Sequence, residues 1–146
     1  MRSGFLLGFV FFILVSVGSA QDWQTDFEQA KALAAKNNLS IILVFQGSDW
    51  CAPCMKLEKE IWSSDEFIAL AKDRFVMLKA DFPRRKKNAL SAEQQEHNNK
   101  LAEKYNTGGY FPFVVVLNSD GKVLGETGYQ KMSPKEYFDH LMSFIK

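Results

Sequence analysis

The stretch IILVFQGSDWCAPC, residues 41–54, runs from a continuous apolar segment through a short polar turn to two cysteines. The apolar residues 41–45 predict a β-strand that is covered on both faces of a sheet. The turn-forming side chains of residues 46–49 end this strand, and a helix is predicted to begin at the cysteines. Cys51 and Cys54 are the only cysteines of the chain. A thiol pair with two residues between, placed where a strand leads into a helix, is typical of a redox-active site.

The N-terminal residues have the pattern of a secretory signal peptide. Arg2 precedes an apolar run over residues 5–17, and the small residues Gly-Ser-Ala at 18–20 suit a cleavage site. The pattern predicts a signal peptide over residues 1–20 and one globular domain over residues 21–146. An uncleaved membrane anchor is the alternative, but the apolar run is short for a span.

The composition describes an ordinary globular domain without a strong charge. The chain has 146 residues, of which 47% are hydrophobic and 24% are charged, enough for one core. Its 18 Lys and Arg residues nearly balance its 17 Asp and Glu residues. This balance gives no field that would favour nucleic acid or an acidic membrane, so we expect neither partner. We expect a monomer.

The two cysteines could also form a structural disulfide or bind a metal ion, and the sequence supports these alternatives to different degrees. Export to an oxidising compartment allows a structural disulfide to persist. However, a bridge that closes a loop of two intervening residues removes little chain entropy, so a purely structural role explains the pair poorly. A four-coordinate zinc site would need the distant His97 and His140, and we therefore assign no metal ligands. Copper binding by the cysteine pair alone remains open.

Capping signals and apolar periodicity predict the order of the remaining elements. Two strands separated by helices predict a right-handed parallel crossover, and Asn118–Gly121 predicts a hairpin turn. The predicted elements are a helix over 25–36 capped by Thr25, a strand over 39–45, a helix from 51, a helix over 64–72 capped by Ser63, a strand within 74–81, a surface loop over 82–90, a helix from Ser91, a strand over 113–117, a returning strand over 122–125 and a last helix from Ser133.

This order resembles the thioredoxin fold over about residues 23–146, and two motifs carry the resemblance. The first is WCAPC at 50–54, which differs from the common thioredoxin sequence only at Ala52, where glycine is usual. The second is GYFP at 109–112, which resembles the cis-proline loop that faces the redox cysteines in this family. Residues 47–51 and 80–84 are similar to exported thioredoxin-related proteins of bacteria. The resemblance implies an α/β fold with a central mixed sheet flanked by helices.

Placement in this fold gives each cysteine a role. Cys51 would lie in the first helical turn, where the helix dipole favours the thiolate, and would attack a substrate disulfide. Cys54, one turn later and more enclosed, would resolve the mixed disulfide. Pro53 would stiffen the turn between them. Trp50 would shield the site, with ordinary packing beside the helix as an equal alternative.

The resemblance also assigns the proline loop and shows three departures from the family. Pro112 would be cis and would leave the backbone of Phe111 free to pair with an extended substrate. Phe45 stands where thioredoxins commonly carry a buried acid that accepts the proton of the resolving cysteine, so the proton acceptor is unassigned. Lys59 replaces the proline that kinks the helix in thioredoxins, and the segment 82–101 is longer than expected.

The sequence therefore predicts an exported thiol-disulfide oxidoreductase of the bacterial periplasm or cell envelope, or a secreted one otherwise. It would reduce protein disulfides, with the Cys51–Cys54 pair as its redox centre and no further cofactor. Its partners would be proteins with disulfides or thiols and a membrane-borne redox partner. The alternative is a metal (copper) or client-protein carrier on the same scaffold. The basic run Arg84–Lys87 is either a solvated loop or a guide for an acidic partner.

Overall fold

The computed structural model describes residues 18–145. The predicted signal peptide, residues 1–20, lies outside the described residues except for its last three positions. Within 18–145, no helix combines the length and apolar character that crossing a membrane requires. The helices and strands are β1 Trp23–Gln24, α1 Phe27–Asn37, β2 Ser40–Gln46, α2 Ala52–Leu57 with a π-helical continuation Glu58–Trp62, α3 Asp65–Ala71, β3 Phe75–Asp81, α4 Ala92–Tyr105, β4 Phe113–Leu117, β5 Val123–Thr127 and α5 Pro134–Met142.

The strands form one five-stranded mixed sheet in the order β1-β3-β2-β4-β5. β2 lies in the centre, parallel to β3 and antiparallel to β4. Its residues 41–45 are at most 1% exposed, which confirms the prediction of a strand covered on both faces. This architecture is the mixed sheet flanked by helices that the resemblance implied.

Alternate residues of β2 enter two separate cores. Ile42 and Val44 pack with the side chains of α2, α3 and α5 on one face of the sheet. Ile41, Leu43 and Phe45 pack with α1 and α4 on the other face. This alternation follows from the two-residue period of a strand. It places Phe45 on the face opposite to the helix that carries the cysteines.

Two helix starts lie one residue later than predicted. Asp26, not Thr25, caps α1, and its carboxylate accepts the N–H of Gln29 at 2.7 Å. Ser64, not Ser63, caps α3 by accepting the N–H of Phe67 at 3.2 Å. At both places two neighbouring residues have a side-chain oxygen, so the local sequence offers two capping positions. The caps predicted at Ser91 and Ser133 are confirmed.

The loop predicted over residues 82–90 is present and contains one short 3-10 turn, Lys86–Asn88. The hairpin between β4 and β5 is also present, with Gly121 at φ 84°, a left-handed conformation that favours glycine. Strand β1 was not predicted. Its two residues pair with Met77 and Leu78 at the sheet edge, and they are too few to show an alternating pattern.

Candidate active site

Cys51 and Cys54 lie at the carboxyl end of β2, where the chain enters α2. They form a disulfide bond with a Cα–Cα distance of 5.2 Å. Cys51 is the N-cap residue of α2, and its Sγ accepts the backbone N–H of Cys54 at 3.3 Å. The two side chains are 4% and 3% exposed, so burial in the oxidised state does not distinguish an outer from an inner cysteine.

The start of α2 provides an electropositive setting for Cys51. The helix and its π-helical continuation run without interruption over residues 52–62. N–H groups at the first turn of a helix have no backbone partner within it, and together with the dipole they stabilise a thiolate there. Pro53 occupies one of the first two helical positions, where its missing N–H costs nothing.

The proline loop and the cysteines lie at the same end of the central strands. The Phe111–Pro112 peptide bond is cis, as the resemblance implied. Pro112 directly precedes β4, and Phe113 of β4 lies opposite Phe45 near the end of β2. Because the cysteines follow β2 and Pro112 precedes its antiparallel neighbour, the two segments flank one site.

Asn106 holds this loop in place, which sequence reasoning missed. Its side chain is buried at 5% exposure. The amide nitrogen donates to the carbonyl of Tyr110 at 2.9 Å, and the amide oxygen accepts the N–H of Tyr110 at 3.0 Å. One side chain therefore satisfies both backbone groups of the residue next to Phe111, and it fixes the loop from within the core.

Trp50 connects the cysteine segment to two other loops. Its Nε1–H donates to the carbonyl of Phe82 at 2.7 Å. Its ring makes an edge contact with Phe111 at 5.3 Å between centroids, and the Arg84 guanidinium lies 3.7 Å from the ring centroid. A Cβ at Gly47 would overlap this indole, so glycine is needed there. Trp50 thus packs against the proline loop, beside the disulfide.

Asp49 holds the loop that follows β3, and this role was also missed by the sequence analysis. Its carboxylate accepts the N–H groups of Arg84 at 2.9 Å and Arg85 at 3.0 Å, and the side-chain amide of Asn88 at 2.9 Å. The hydrogen bond from the Arg84 N–H is the largest of several effects that lower the pKa of Asp49 from 3.8 to about 2. Hydrogen bonds to the charged form favour ionisation.

This lowered pKa predicts an acid transition of the loop. A carboxylate with a depressed folded-state pKa contributes stability above its unfolded pKa, and this contribution is lost as pH falls toward the folded pKa. We therefore expect the backbone amide signals of Arg84 and Arg85 to titrate with a midpoint near pH 2 when followed by NMR between pH 5 and 1.5. Asp49→Asn should abolish this titration. A wild-type midpoint at or above pH 3.8 would contradict the assigned hydrogen bonds.

Cys54 lines a groove of about 500 Å³ on the α2 face of the sheet. Met55, which is 45% exposed, forms part of its outer wall. The other lining residues are mostly polar or charged: Gln46, Ser48, Glu58, Lys59, Ser63 and Lys79. Cys54, which is 3% exposed, is therefore the cysteine that borders this groove.

Glu58 is the acidic residue of this groove. It lies four residues after Cys54, on the same side of the helix. Its Oε1 accepts the hydroxyl of Ser63 at 2.9 Å, whereas its Oε2 is buried without a hydrogen-bond partner within the described residues. Glu58 was not predicted from the sequence to have a role in the site.

The histidines take part in local hydrogen bonds away from the cysteines. His97 Nε2 accepts the N–H of Phe27 at 3.0 Å, and His140 Nε2 lies 3.0 Å from the hydroxyl of Thr127. Across the described range 18–145, no group of three or more His, Cys, Asp or Glu side chains is arranged to hold a metal ion.

Comparisons with known proteins agree with this geometry. The family model described as thioredoxin-like matches residues 22–119. The disulfide bond reductase DsbH of Chlamydia pneumoniae is 32% identical over 124 residues, which cover 85% of this chain and 72% of that protein. The thioredoxin-related protein DsbJ of the same organism is 27% identical over 106 residues, covering 73% of this chain and 30% of DsbJ.

A solved structure titled DsbH oxidoreductase superimposes with a TM-score of 0.80 and 28% sequence identity, covering 98% of this chain and 94% of that chain. The family match spans the sheet from β1 to β4 together with the cysteine pair and the cis-proline loop. The chain therefore belongs to the thioredoxin-like family.

Proposed function

We propose that this protein is an exported thiol-disulfide oxidoreductase that reduces protein disulfides through Cys51 and Cys54. The observation that carries the proposal is the disulfide-bonded pair at the start of α2, flanked by the cis-proline loop. Similarity to a relative named a disulfide bond reductase supports the reducing direction. The Ala52-Pro53 pair between the cysteines, which resembles the Gly-Pro of reducing thioredoxins, supports it as well.

The reaction is two consecutive thiol-disulfide exchanges. The Cys51 thiolate attacks one sulfur of the substrate disulfide, a mixed disulfide forms, and the first substrate thiolate leaves. The Cys54 thiolate then attacks the Sγ of Cys51, the Cys51–Cys54 bond forms, and the second substrate thiolate leaves. The substrate gains two electrons, and its two thiolates take up protons. A membrane-borne dithiol donor reduces the pair again.

The cellular compartment in which we place the protein explains why it needs such an electron donor. The signal-peptide pattern of residues 1–20 and the likeness to Dsb proteins support a place in the bacterial periplasm or cell envelope. That compartment is kept oxidising, so a reductase there depends on electrons delivered across the membrane. The substrates are proteins with exposed disulfides.

A turnover assay tests this function against the carrier alternative. The purified mature chain, supplied with dithiothreitol, is expected to accelerate reduction of a model protein disulfide such as that of insulin. The double variant Cys51→Ser, Cys54→Ser should show only the uncatalysed rate. Stoichiometric binding of Cu(I) together with an insulin rate equal to that of the double variant would instead establish a metal carrier.

We further propose that Glu58 accepts the proton of Cys54 when that thiol becomes the attacking group. Phe45 cannot do so, because it is apolar and packs on the opposite face of the sheet. Glu58 lines the same groove as Cys54, and its Oε2 has no hydrogen-bond partner among the described residues. Hydrogen bonding to Ser63 through Oε1 leaves Oε2 available for the thiol.

Glu58→Gln is therefore expected to slow the resolving step by about tenfold or more at neutral pH. The threshold is set below the roughly 10²–10⁴-fold that general-base catalysis typically contributes, since a thiol also ionises partly by itself. Stopped-flow measurement of mixed-disulfide decay should show a rate that rises with pH more steeply in Glu58→Gln than in wild type. Glu60→Gln is the matched control, because Glu60 lies on the same helix and bonds to Tyr129. Equal decay rates in wild type and both variants would contradict the role of Glu58.

A further inference from the structure

The basic run Arg84–Lys87 is a concentrated positive charge in a chain whose formal net charge is only +1. All four side chains are exposed. The ion pairs within residues 18–145 join Lys31 to Glu28, Lys100 to Glu96 and Lys135 to Asp139, and none involves this run. Asp49 supplies one negative charge beside the loop, and it bonds to backbone N–H groups, so the four cationic side chains remain available.

The structure fixes the backbone of this run and the side chain of Arg84. Asp49 bonds to the N–H groups of Arg84 and Arg85, and Asn88 bonds to Asp49 from the other end of the run. The Arg84 guanidinium also lies 3.7 Å from the centroid of Trp50. A charge run in a mobile loop would interact weakly with any partner, because ordering it costs entropy on binding. Here the fold has already ordered the loop.

The loop also lies next to the redox pair. Asp49 and Trp50, which contact it, are the two residues immediately before Cys51. Trp50 contacts Phe111, the residue before the cis proline. The Arg84 side chain, the indole and the proline loop therefore form one continuous surface beside the disulfide. A polypeptide that reaches Cys51 along the proline loop passes close to Arg84, the first of the four cationic residues.

We propose that Arg84–Lys87 is a docking surface for acidic polypeptide segments, and that it directs the redox pair to disulfides flanked by Asp and Glu residues. This inference rests on the proposed reductase function and names the substrate class of that site. Opposite charges on the two surfaces raise the rate of encounter, and salt screens the effect over a Debye length of about 8 Å at physiological ionic strength.

Three synthetic peptides with the same disulfide, flanked by acidic, neutral or basic residues, test the proposal. For wild type at low salt, kcat/KM for the acidic peptide is expected to exceed that for the basic peptide by about tenfold or more. This ratio should fall toward one as NaCl is raised to 0.5 M, roughly where the Debye length is shorter than a side chain. Lys86→Glu with Lys87→Glu, which leaves the run with two positive and two negative charges, should bring the ratio close to one, and Lys86→Gln with Lys87→Gln should give an intermediate ratio.

The control variant carries the same charge change at the other end of the sheet. Lys72 precedes β3 and Lys122 precedes β5. Both residues are exposed, and both lie at the end of the strands that is opposite to the cysteines. Lys72→Glu with Lys122→Glu should keep the wild-type preference for acidic peptides. An equal kcat/KM for the three peptides in wild type, or an unchanged preference in the Lys86, Lys87 variants, would overturn the docking surface. Failure of wild type to reduce any of the peptides would instead reject the proposed function.

Discussion

Replacing Cys54 by serine is expected to convert the protein into a stable covalent complex with its substrate. The first exchange needs only the Cys51 thiolate, so the mixed disulfide still forms. The second exchange needs the Cys54 thiolate, and a serine hydroxyl is not nucleophilic enough to replace it. Incubation of reduced Cys54→Ser with a disulfide-containing protein should therefore give an adduct on a non-reducing gel, and mass spectrometry should locate the bond at Cys51.

Cys51→Ser is the matched control for this experiment. It retains the same number of thiols, but the remaining Cys54 lies inside α2 and not at the N-cap position, where the helix start favours the thiolate. We expect Cys51→Ser to accumulate no adduct under the same conditions. Equal accumulation by the two variants would contradict the assignment of Cys51 as the attacking thiol.

Trp62→Ala is expected to cause the largest loss of stability among single substitutions outside the site. Trp62 ends the π-helical continuation of α2 and is 1% exposed. Its ring makes edge contacts with Trp23, Phe67 and Tyr137 at centroid distances of 6.0, 5.0 and 5.4 Å. Truncating a fully buried tryptophan removes its transfer free energy and leaves a cavity, which typically costs ~3–5 kcal/mol.

Urea unfolding followed by circular dichroism measures this loss. Because small domains have a total stability of about 5–15 kcal/mol, Trp62→Ala should lower the unfolding midpoint greatly. Trp62→Phe fills part of the cavity and should therefore lose less of the free energy of unfolding. This variant keeps the comparison measurable if the alanine variant does not fold. Tyr110→Ala is the exposed control, since Tyr110 is 65% exposed and should change stability by about 0.5 kcal/mol or less. A Trp62→Ala loss as small as the Tyr110→Ala loss would contradict this account of the core.

The elements that could be predicted from the sequence are those with local signals. The apolar run of β2 shows the central strand because burial on both faces removes the polar alternation. The spacing of Cys51 and Cys54 predicts the position of the redox site. The cis state of Pro112 has no local signal, and only the resemblance to a family supplied it.

The parts that could not be predicted depend on contacts between distant segments. Asp49 bonds to residues 35 to 39 positions further along the chain, so its role in holding the basic loop leaves no mark in the local pattern. Asn106 is buried although its residue type is usually exposed, because its amide matches two backbone groups. In the sequence Glu58 is indistinguishable from a solvated helix residue, and its hydrogen bond with Ser63 and its buried Oε2 are seen only in the structure.

The reduction potential of the Cys51–Cys54 pair tests the proposed reductase most directly. The mature chain would be equilibrated with thiol-disulfide buffers of defined potential, and the oxidised fraction would be read by trapping free thiols with a mass label. We expect a potential between about −200 and −270 mV, the range of glutaredoxins and thioredoxin, which donate electrons to protein disulfides. A potential near about −120 mV, which is typical of a strong periplasmic oxidant, would contradict the proposed direction of electron flow.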